Sequence, residues 1–379
     1  MIDLRSIVQH RLRRGAAAIG IDLAPEGLRM VQFAAGPEGP RLLATAMADG
    51  LGPEPTPALL REQVRDALRT RGFCGRRVIS ALPPSDVKVM IVNFQASTVE
   101  PEPLLILRLV AERVSEPLEE LVVDYLPIRM IDEESGDRSA IVALSQRDVV
   151  IAHLERLRVA GLSVEALDIR AAAIRRVAVA SLGNDPERNH LIVYCGRERS
   201  QLTVLWGRRW AFHREVDFGE RQLGEAVAKA LDMEPVLAGE LIGRYGVWPP
   251  EPGLPSSCEG RAVTDVAAEL EYSQTLMEIV KPCFYALAEQ VDAAMVYTAS
   301  RFRGATVNQI HVMGPGIRWP RAERLLESLV SLPARRLDQS RLFANAALGS
   351  ARNPFDPSRE ADGLEIATGL ALRGVTDGA

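Results

Sequence analysis

Two segments of the chain, about 170 residues apart, share one plan: an apolar strand, a short polar turn and a second strand with alternating residues. They are AIGIDLAPEGLRMVQF at residues 18–33 and HLIVYCGRERSQLTVLWGRRWAFHREVDFG at residues 190–219. A repeat distance this long exceeds that of any solenoid, so the segments indicate a duplicated fold with one hairpin in each half. Strands come first and helices follow in both halves, which is typical of an α/β fold.

Composition and charge limit the possible function classes. With 379 residues, 47% of them hydrophobic and 25% charged, the chain has the composition of a soluble globular protein with two or more domains. Its formal net charge of −5 argues against a nucleic-acid partner, because phosphate backbones require a concentrated positive face. Apolar runs are shorter than the roughly 20 residues of a membrane helix, and no signal peptide is recognisable, so we expect a cytoplasmic protein.

Several catalytic and metal-binding classes lack their characteristic residues. A P-loop needs Gly-Lys-Ser or Gly-Lys-Thr, and none of the three lysines follows Gly or precedes Ser or Thr. The cysteines form no CxxC pair, the histidines have no metal-ligand spacing, and no GxSxG elbow is present. We therefore predict no catalytic residue and no metal site, and structural roles for Cys74, Cys195, Cys258 and Cys283 and for His10, His153, His190, His213 and His311.

The N-terminal segment MIDLRSIVQHRLRR, residues 1–14, is amphipathic, with apolar residues and four arginines. Such a segment can lie on an anionic membrane surface. Its short length favours the alternatives of a frayed leader or a helix docked on a partner. A second long feature is a helix expected from about Thr264, a suitable N-cap, to Arg303, with an interruption or kink at Pro282.

Three apolar strands, at residues 19–23, 190–195 and 309–313, each run into a turn that contains glycine. Backbone amides at strand ends can bind phosphate, so these turns are candidates for a phosphate site. Single glycine turns are weak evidence by themselves.

Longer segments carry a resemblance to a known family. They are GIDLAPEGLRMVQF, RRVISALPPSDVKVMIVNF, EELVVDYLPI, LERLRVAGLSVEALDI, LIVYCGRERSQLTVLWG and EIATGLALRG. On these segments the chain resembles, over nearly its full length, the PilM family of type IV pilus assembly proteins, actin-like relatives of FtsA. AGLSVEALDI and EIATGLALRG are the most specific.

The resemblance implies an actin-like fold, with duplicated ribonuclease-H-like halves and inserted subdomains. The expected subdomains are 1A at 15–94 with 161–185 and 361–376, 1C at 95–160, 2A at 186–231 with 304–360, and 2B at 232–303.

The resemblance also implies a cytoplasmic scaffold that lies peripherally at the inner face of the inner membrane. Its expected partner is the cytoplasmic N-terminal tail of a PilN-like membrane protein, with PilO-like and pilus motor components as further candidates. ATP or ADP with Mg²⁺ is the implied ligand of the turns. The residues expected to bind it are Asp22, Gly27, Arg29, Gly196, Ser200, Gly314 and Gly316.

The turns depart from the family pattern in each half. In the first turn Ala24 stands where the family has glycine, and Pro25 removes an amide. Tyr194 stands where the second turn should begin with an acid, and Pro315 interrupts the third. Because phosphoryl transfer depends on such carboxylate charge, we expect a nucleotide site without turnover. The alternative is that these are only tight turns of an inherited fold.

The tail is expected in a groove between the first subdomain and the 95–160 insertion. The strand DVKVMIVNF is apolar on both faces apart from Lys88, as a covered strand would be. The helix that follows has more large apolar residues than one face buries. We predict contacts to the tail from Val89, Ile91, Leu104 and Leu107.

Two other functions remain open at this stage. One is an active ATPase or kinase of the actin and Hsp70 superfamily, which should carry carboxylates at both hairpins, whereas only Asp22 is present. The other is the cytoplasmic part of a GspL-like type II secretion protein, which should continue into a transmembrane segment.

Overall fold

The computed structural model describes most of the chain as two compact units. The described residues are 16–24, 26–36, 39–52, 55–96, 99–128, 137–183, 188–250, 266–301, 306–343 and 361–376. Unit 1 contains the described residues up to Ile128, those from Asp137 to Gly183 and those from Asp338 onward. Unit 2 contains those from Arg188 to Leu337. Segment 1–14, Pro25, Cys258 and Thr264 lie outside the described residues.

The main sheet of unit 1 has five strands in the order β3-β2-β1-β4-β8. They are β1 (Ile19–Ala24), β2 (Gly27–Ala34), β3 (Arg41–Asp49), β4 (Arg77–Ala81) and β8 (Ser163–Asp168). β1 pairs antiparallel with β2 and parallel with β4, which pairs parallel with β8. A central strand covered on both faces has to be apolar throughout, and Ile19 and Ile21 of β1 are fully buried.

One face of this sheet is covered by helix α1 (Pro57–Thr70). The helix starts as its sequence predicts, because Thr56 Oγ1 accepts a hydrogen bond from Leu59 N at 3.3 Å and Pro57 occupies the first turn. Its buried residues Leu60 and Val64 recur at helical spacing and pack on the sheet.

The other face is covered by α4 (Arg170–Leu182) and α10 (Glu365–Thr376), which pack on each other. Two glycines allow this close approach. A Cβ on Gly20 of β1 would lie 2.0 Å from Ala367 O, and one on Gly369 of α10 would lie 2.1 Å from Ala173 O. The backbones of β1, α10 and α4 are therefore in direct contact.

A smaller antiparallel sheet, in the order β5-β7-β6, is inserted between β4 and β8. Its strands are β5 (Lys88–Gln95), β6 (Leu121–Ile128) and β7 (Asp137–Gln146). Helix α2 (Glu102–Ala111) packs on one face, and α3 (Arg147–Val159) leads back to the main sheet. Subdomain 1C was expected to begin at residue 95, which is the last residue of β5. Because β5 pairs with β7 along its whole length, the strand is part of the inserted sheet.

Unit 2 repeats the sheet of unit 1 in the order β11-β10-β9-β12-β13. Its strands are β9 (Asn189–Tyr194), β10 (Ser200–Trp206), β11 (Arg209–Val216), β12 (Gln309–Met313) and β13 (Ala334–Arg336). Three antiparallel strands are again followed by two parallel ones. This equivalence confirms the predicted duplicated α/β fold.

The remaining helices are α5 (Glu220–Leu231), α6 (Pro235–Tyr245), α7 (Val266–Arg301), α8 (Ala322–Leu329) and the short α9 (Ser340–Phe343). Of the two alternatives predicted at Pro282, the interruption is wrong, because α7 continues through the proline, and the kink stays a prediction. Val280 and Phe284, on either side of the proline, are fully buried, and this packing holds the helix across the missing hydrogen bond. In the part of the chain that the structure describes, no helix is both long and apolar enough to cross a membrane.

Candidate functional site

The first predicted turn joins β1 to β2 and places Asp22 opposite Arg29. The Asp22 residue is 5% exposed, and its Oδ1 accepts a hydrogen bond from Arg170 Nη1 at 3.2 Å. Burial raises the pKa of the Asp22 carboxyl above its ordinary value, and the positive charge of Arg170 opposes that shift. The charged form of Asp22 therefore depends on Arg170, the first residue of α4.

Arg29 and Gly27 attach the same hairpin to the neighbouring strand β3. Arg29 Nη2 lies 2.7 Å from Asp49 Oδ1, and Nη1 donates to the carbonyl oxygens of Leu28 and Ala48. A Cβ on Gly27 would lie 2.0 Å from Ala48 O. Both residues thus have structural roles within the sheet.

The second and third predicted turns, both in unit 2, are bonded to each other. Cys195 N donates to Met313 O at 2.8 Å, and Gly316 N donates to Cys195 O at 2.9 Å. Gly314 has a φ of 97°, and a Cβ there would lie 3.0 Å from the Tyr194 ring. The Gly316 amide is therefore satisfied by protein, and the aromatic ring of Tyr194 lies against the third turn.

The second turn also caps the start of α5. Gly196 O accepts from Glu220 N at 3.0 Å, and Arg197 O accepts from Arg221 N at the same distance. These contacts use two of the amides that a helix N-terminus leaves unpaired. Ser200 Oγ is buried and donates to Phe218 O at 2.6 Å.

These residues do not fit a magnesium-bound nucleotide held in the manner of an actin-type ATPase. The one carboxylate predicted for the site, Asp22, binds a guanidinium. The Gly316 amide and the Ser200 hydroxyl both donate to carbonyl oxygens of the protein. Tyr194 supplies no charge at the second turn. Among the described residues, no three His, Cys, Asp or Glu side chains are arranged to hold a metal ion.

The four residues predicted to bind the tail lie on two surfaces of the inserted subdomain. Val92 and Phe94 of β5 pack against α2, so the alternating residues Val89 and Ile91 face the opposite side of the sheet. Both are half-buried. Leu104 and Leu107 lie one turn apart on α2; Leu104 is 56% exposed, and Leu107 is half-buried.

The structure adds two exposed residues to the sheet face that carries Ile91. Ile91 and Leu126 are the partners of Ile141 on either side, so these three side chains form a row across the sheet. Leu126 is 46% exposed, and Val122 on the same strand is 41% exposed. In the sequence, the signal for these positions was the segment LVVDYLPI, which has apolar residues on both faces of β6.

Sequence reasoning also missed a buried ionic cluster at the end of β8. Asp168 Oδ2 lies 2.8 Å from Arg176 Nη1 on α4 and 3.2 Å from Arg373 Nη1 on α10. Asp168 Oδ1 accepts from Ile169 N at 2.8 Å, next to Arg170. Charged residues within the alanine-rich helix α4 and the apolar helix α10 were the available signal.

The family described as type IV pilus assembly protein PilM matches residues 52–251, more than half of the chain. The chain belongs to the PilM family. Among solved structures, the PilM–PilN type IV pilus biogenesis complex matches with a TM-score of 0.73 and 21% identity, over 95% of this chain and 98% of that chain. The ethanolamine utilization protein EutJ from Carboxydothermus hydrogenoformans matches with a TM-score of 0.52 and 12% identity, over 94% and 89% of the two chains. These likenesses confirm the predicted actin-like fold of this PilM family member.

The type II secretion alternative gains no support of this kind. The cytoplasmic domain of EpsL, an inner-membrane component of the type II secretion system of Vibrio cholerae, matches over 57% of this chain and 76% of that chain. The TM-score is 0.34 and the identity 14%.

Proposed function

We propose that this PilM family protein is a scaffold of a type IV pilus assembly complex and binds the cytoplasmic N-terminal tail of a PilN-like membrane protein. Binding to that tail would hold it peripherally at the inner face of the inner membrane. The similar solved structure is described as a complex of PilM with PilN, which supports the choice of partner. The observation that carries the proposal is the exposed apolar face of the inserted sheet at Val122 and Leu126.

This outer sheet face, defined by Val89, Ile91, Ile141, Leu126 and Val122, suits a peptide with apolar anchors, and the exposed Asp124 lies on the same face between Val122 and Leu126. Ile141, at the centre of this face, is 1% exposed, whereas Leu126 and Val122 on β6 remain in contact with water. Apolar side chains of a peptide would remove these two from water, and such anchors supply most of the affinity in peptide recognition.

Both edges of the inserted sheet already carry a side-chain contact. Arg113 Nη1 donates to Ile91 O at 3.0 Å on β5, and Tyr125 N donates to Asp124 Oδ1 at 2.8 Å on β6. We place the main contacts of the tail at the β6 side of the outer sheet face because Val122 and Leu126 are exposed there. Leu104 and Leu107, on the other side of the sheet, form a second, separate candidate surface.

Two matched substitutions distinguish the surfaces. Leu126→Glu and Leu104→Glu both put a charge on an exposed leucine, so neither should unfold the protein. We expect Leu126→Glu to weaken binding of a peptide with the PilN-like tail sequence at least about tenfold, which corresponds to about 1.4 kcal/mol. Leu104→Glu should bind normally, and both variants should keep the wild-type Tm.

The opposite pattern, with binding lost only in Leu104→Glu, would place the tail on α2. Undiminished binding in both variants would show that the tail binds outside the inserted subdomain. Isothermal titration calorimetry with the peptide is the measurement, and circular dichroism reports whether each variant is folded.

We also propose that the scaffold acts without hydrolysing ATP. Asp22 is the acid that the actin-like pattern retains, and it is paired with Arg170. Phosphoryl transfer needs carboxylates that handle a metal ion and the attacking water. The contacts of the turns described above supply neither.

A further inference from the structure

The carboxylate of Asp22 is buried at the first turn, where a charge is costly unless a partner compensates it. In unit 1 the compensation comes from Arg170, whose side chain is 15% exposed and lies 3.2 Å from Asp22 Oδ1. Arg29, on the neighbouring strand, is directed to Asp49 and to two carbonyl oxygens. Arg170 is therefore the cation that pairs with Asp22.

We propose that the Arg170 guanidinium permanently replaces the divalent cation at Asp22, so that this protein does not respond to Mg²⁺ even in the presence of ATP. The proposal concerns residues outside the tail-binding surface and does not depend on the scaffold function.

A magnesium ion at Asp22 would have to displace the guanidinium. Mg²⁺ binds carboxylate oxygens at about 2.0–2.1 Å in octahedral geometry. A guanidinium held 3.2 Å from the same oxygen occupies that space and repels the ion. Arg170 cannot lose its charge to make room, because an arginine side chain stays protonated in proteins.

The position of Arg170 is held by the cluster at Asp168, two residues earlier. Asp168 binds the amide of Ile169 and pairs with Arg176 and Arg373, so the start of α4 is tied to β8 and α10. Arg170 thus projects from a rigid helix start, and its pairing with Asp22 does not require a flexible loop to close. Together Asp22 and Asp168 already face three guanidinium groups, so the region needs no further cation.

The test uses the full chain and compares Tm in MgCl₂ with Tm in EDTA, each with and without ATP, at pH 8. We expect no Mg²⁺-dependent shift in the wild type. In Arg170→Gln, Asp22 loses its cation, and Mg²⁺ should raise the Tm by several degrees over EDTA. The double variant Asp22→Asn/Arg170→Gln should lose this response, because the buried carboxylate of Asp22 is removed.

Arg29→Gln is the matched control. It removes an arginine from the same hairpin, but its carboxylate partner Asp49 is 82% exposed and is hydrated without it, so no Mg²⁺ response is expected. If Arg170→Gln fails to fold in EDTA, recovery of its folding in Mg²⁺ supports the proposal in the same way as a rise in Tm. The proposal is wrong if Mg²⁺ raises the Tm of the wild type and Asp22→Asn abolishes this rise. It is also wrong if Mg²⁺ neither raises the Tm of Arg170→Gln nor restores its folding.

Discussion

At the scale of single residues, the interior of this protein contains several buried histidines. His213 is 8% exposed, and its Nδ1 lies 3.0 Å from Thr203 Oγ1. His190 Nδ1 and His311 Nε2 are 3.1 Å apart, and His153 Nε2 lies 3.0 Å from Ser80 Oγ. These contacts agree with the structural role predicted for them. Burial lowers the pKa of His213 to about 4, and it is the main cause of the same value for His153 and His311.

These pKa values predict that the protein loses stability in mild acid. The folded pKa of His213, about 4, lies below the unfolded value of about 6.5, so the unfolded state takes up the proton first. The contribution of neutral His213 to the free energy of unfolding is complete above pH 6.5 and is lost as the pH falls towards 4. Each such histidine contributes up to about 1.4 kcal/mol per pH unit to the slope.

The variant His213→Gln isolates one of these groups. Its free energy of unfolding, measured by urea denaturation between pH 8 and 4, should fall less steeply than that of the wild type, by up to about 1.4 kcal/mol per pH unit. The comparison at pH 8, where histidine is neutral in both states, is the control. An unchanged slope would show that His213 does not titrate on unfolding.

At the scale of secondary-structure elements, the contact between α4 and α10 is the tightest helix packing that we describe. The backbone of α10 lies on β1 at Gly20 and on α4 at Gly369. Helices approach this closely only where a side chain is missing, because a Cβ would occupy the space of the neighbouring backbone.

The substitution Gly369→Ala should therefore destabilise the protein by at least about 1–3 kcal/mol, the usual cost of overpacking. Gly224→Ala is the matched control, since Gly224 lies within α5 and a Cβ there has nothing within 4 Å. It should stabilise the protein by up to about 1 kcal/mol, because alanine is a better helix former. Chemical denaturation measures both changes; equal effects of the two substitutions would contradict the close helix contact.

At the scale of the whole molecule, both units carry the same five-stranded sheet, and glycine turns follow corresponding strands. Asp22, Ser200 and Gly316 at these turns make ion pairs or hydrogen bonds within their own unit. These contacts support the proposal of a scaffold that does not hydrolyse ATP.

We expect purified protein to release no phosphate from Mg²⁺-ATP above the rate of a protein-free blank. The physical reason is that the actin-like pattern retains one carboxylate at the turns, Asp22, and it is paired with Arg170. A coupled phosphate assay on the wild type and on Asp22→Ala provides the comparison. Phosphate release that falls in Asp22→Ala would instead favour the active ATPase that the sequence left open.

Much of the fold followed from the sequence because the signals for strands, caps and turns are local. The alternating hairpins, the Thr56 cap of α1 and the duplicated plan were all readable from neighbouring residues. The family resemblance added the actin-like architecture. At Pro282 the same local reasoning left an interruption of the helix open, and this was wrong, because buried neighbours within a long helix outweigh the loss of one hydrogen bond.

Only the tertiary structure decided which groups meet. Asp22 and Arg170 are 148 residues apart in sequence, and no local pattern pairs them. Arg373 reaches Asp168 from the other end of the chain. Likewise, Val89 and Leu104 are both apolar and close in sequence, yet the strand and the helix place them on opposite sides of one sheet. The sequence determined the local conformation of each segment, whereas ion pairs and binding faces depend on how distant segments pack, since their energies act between side chains that only the folded chain brings together.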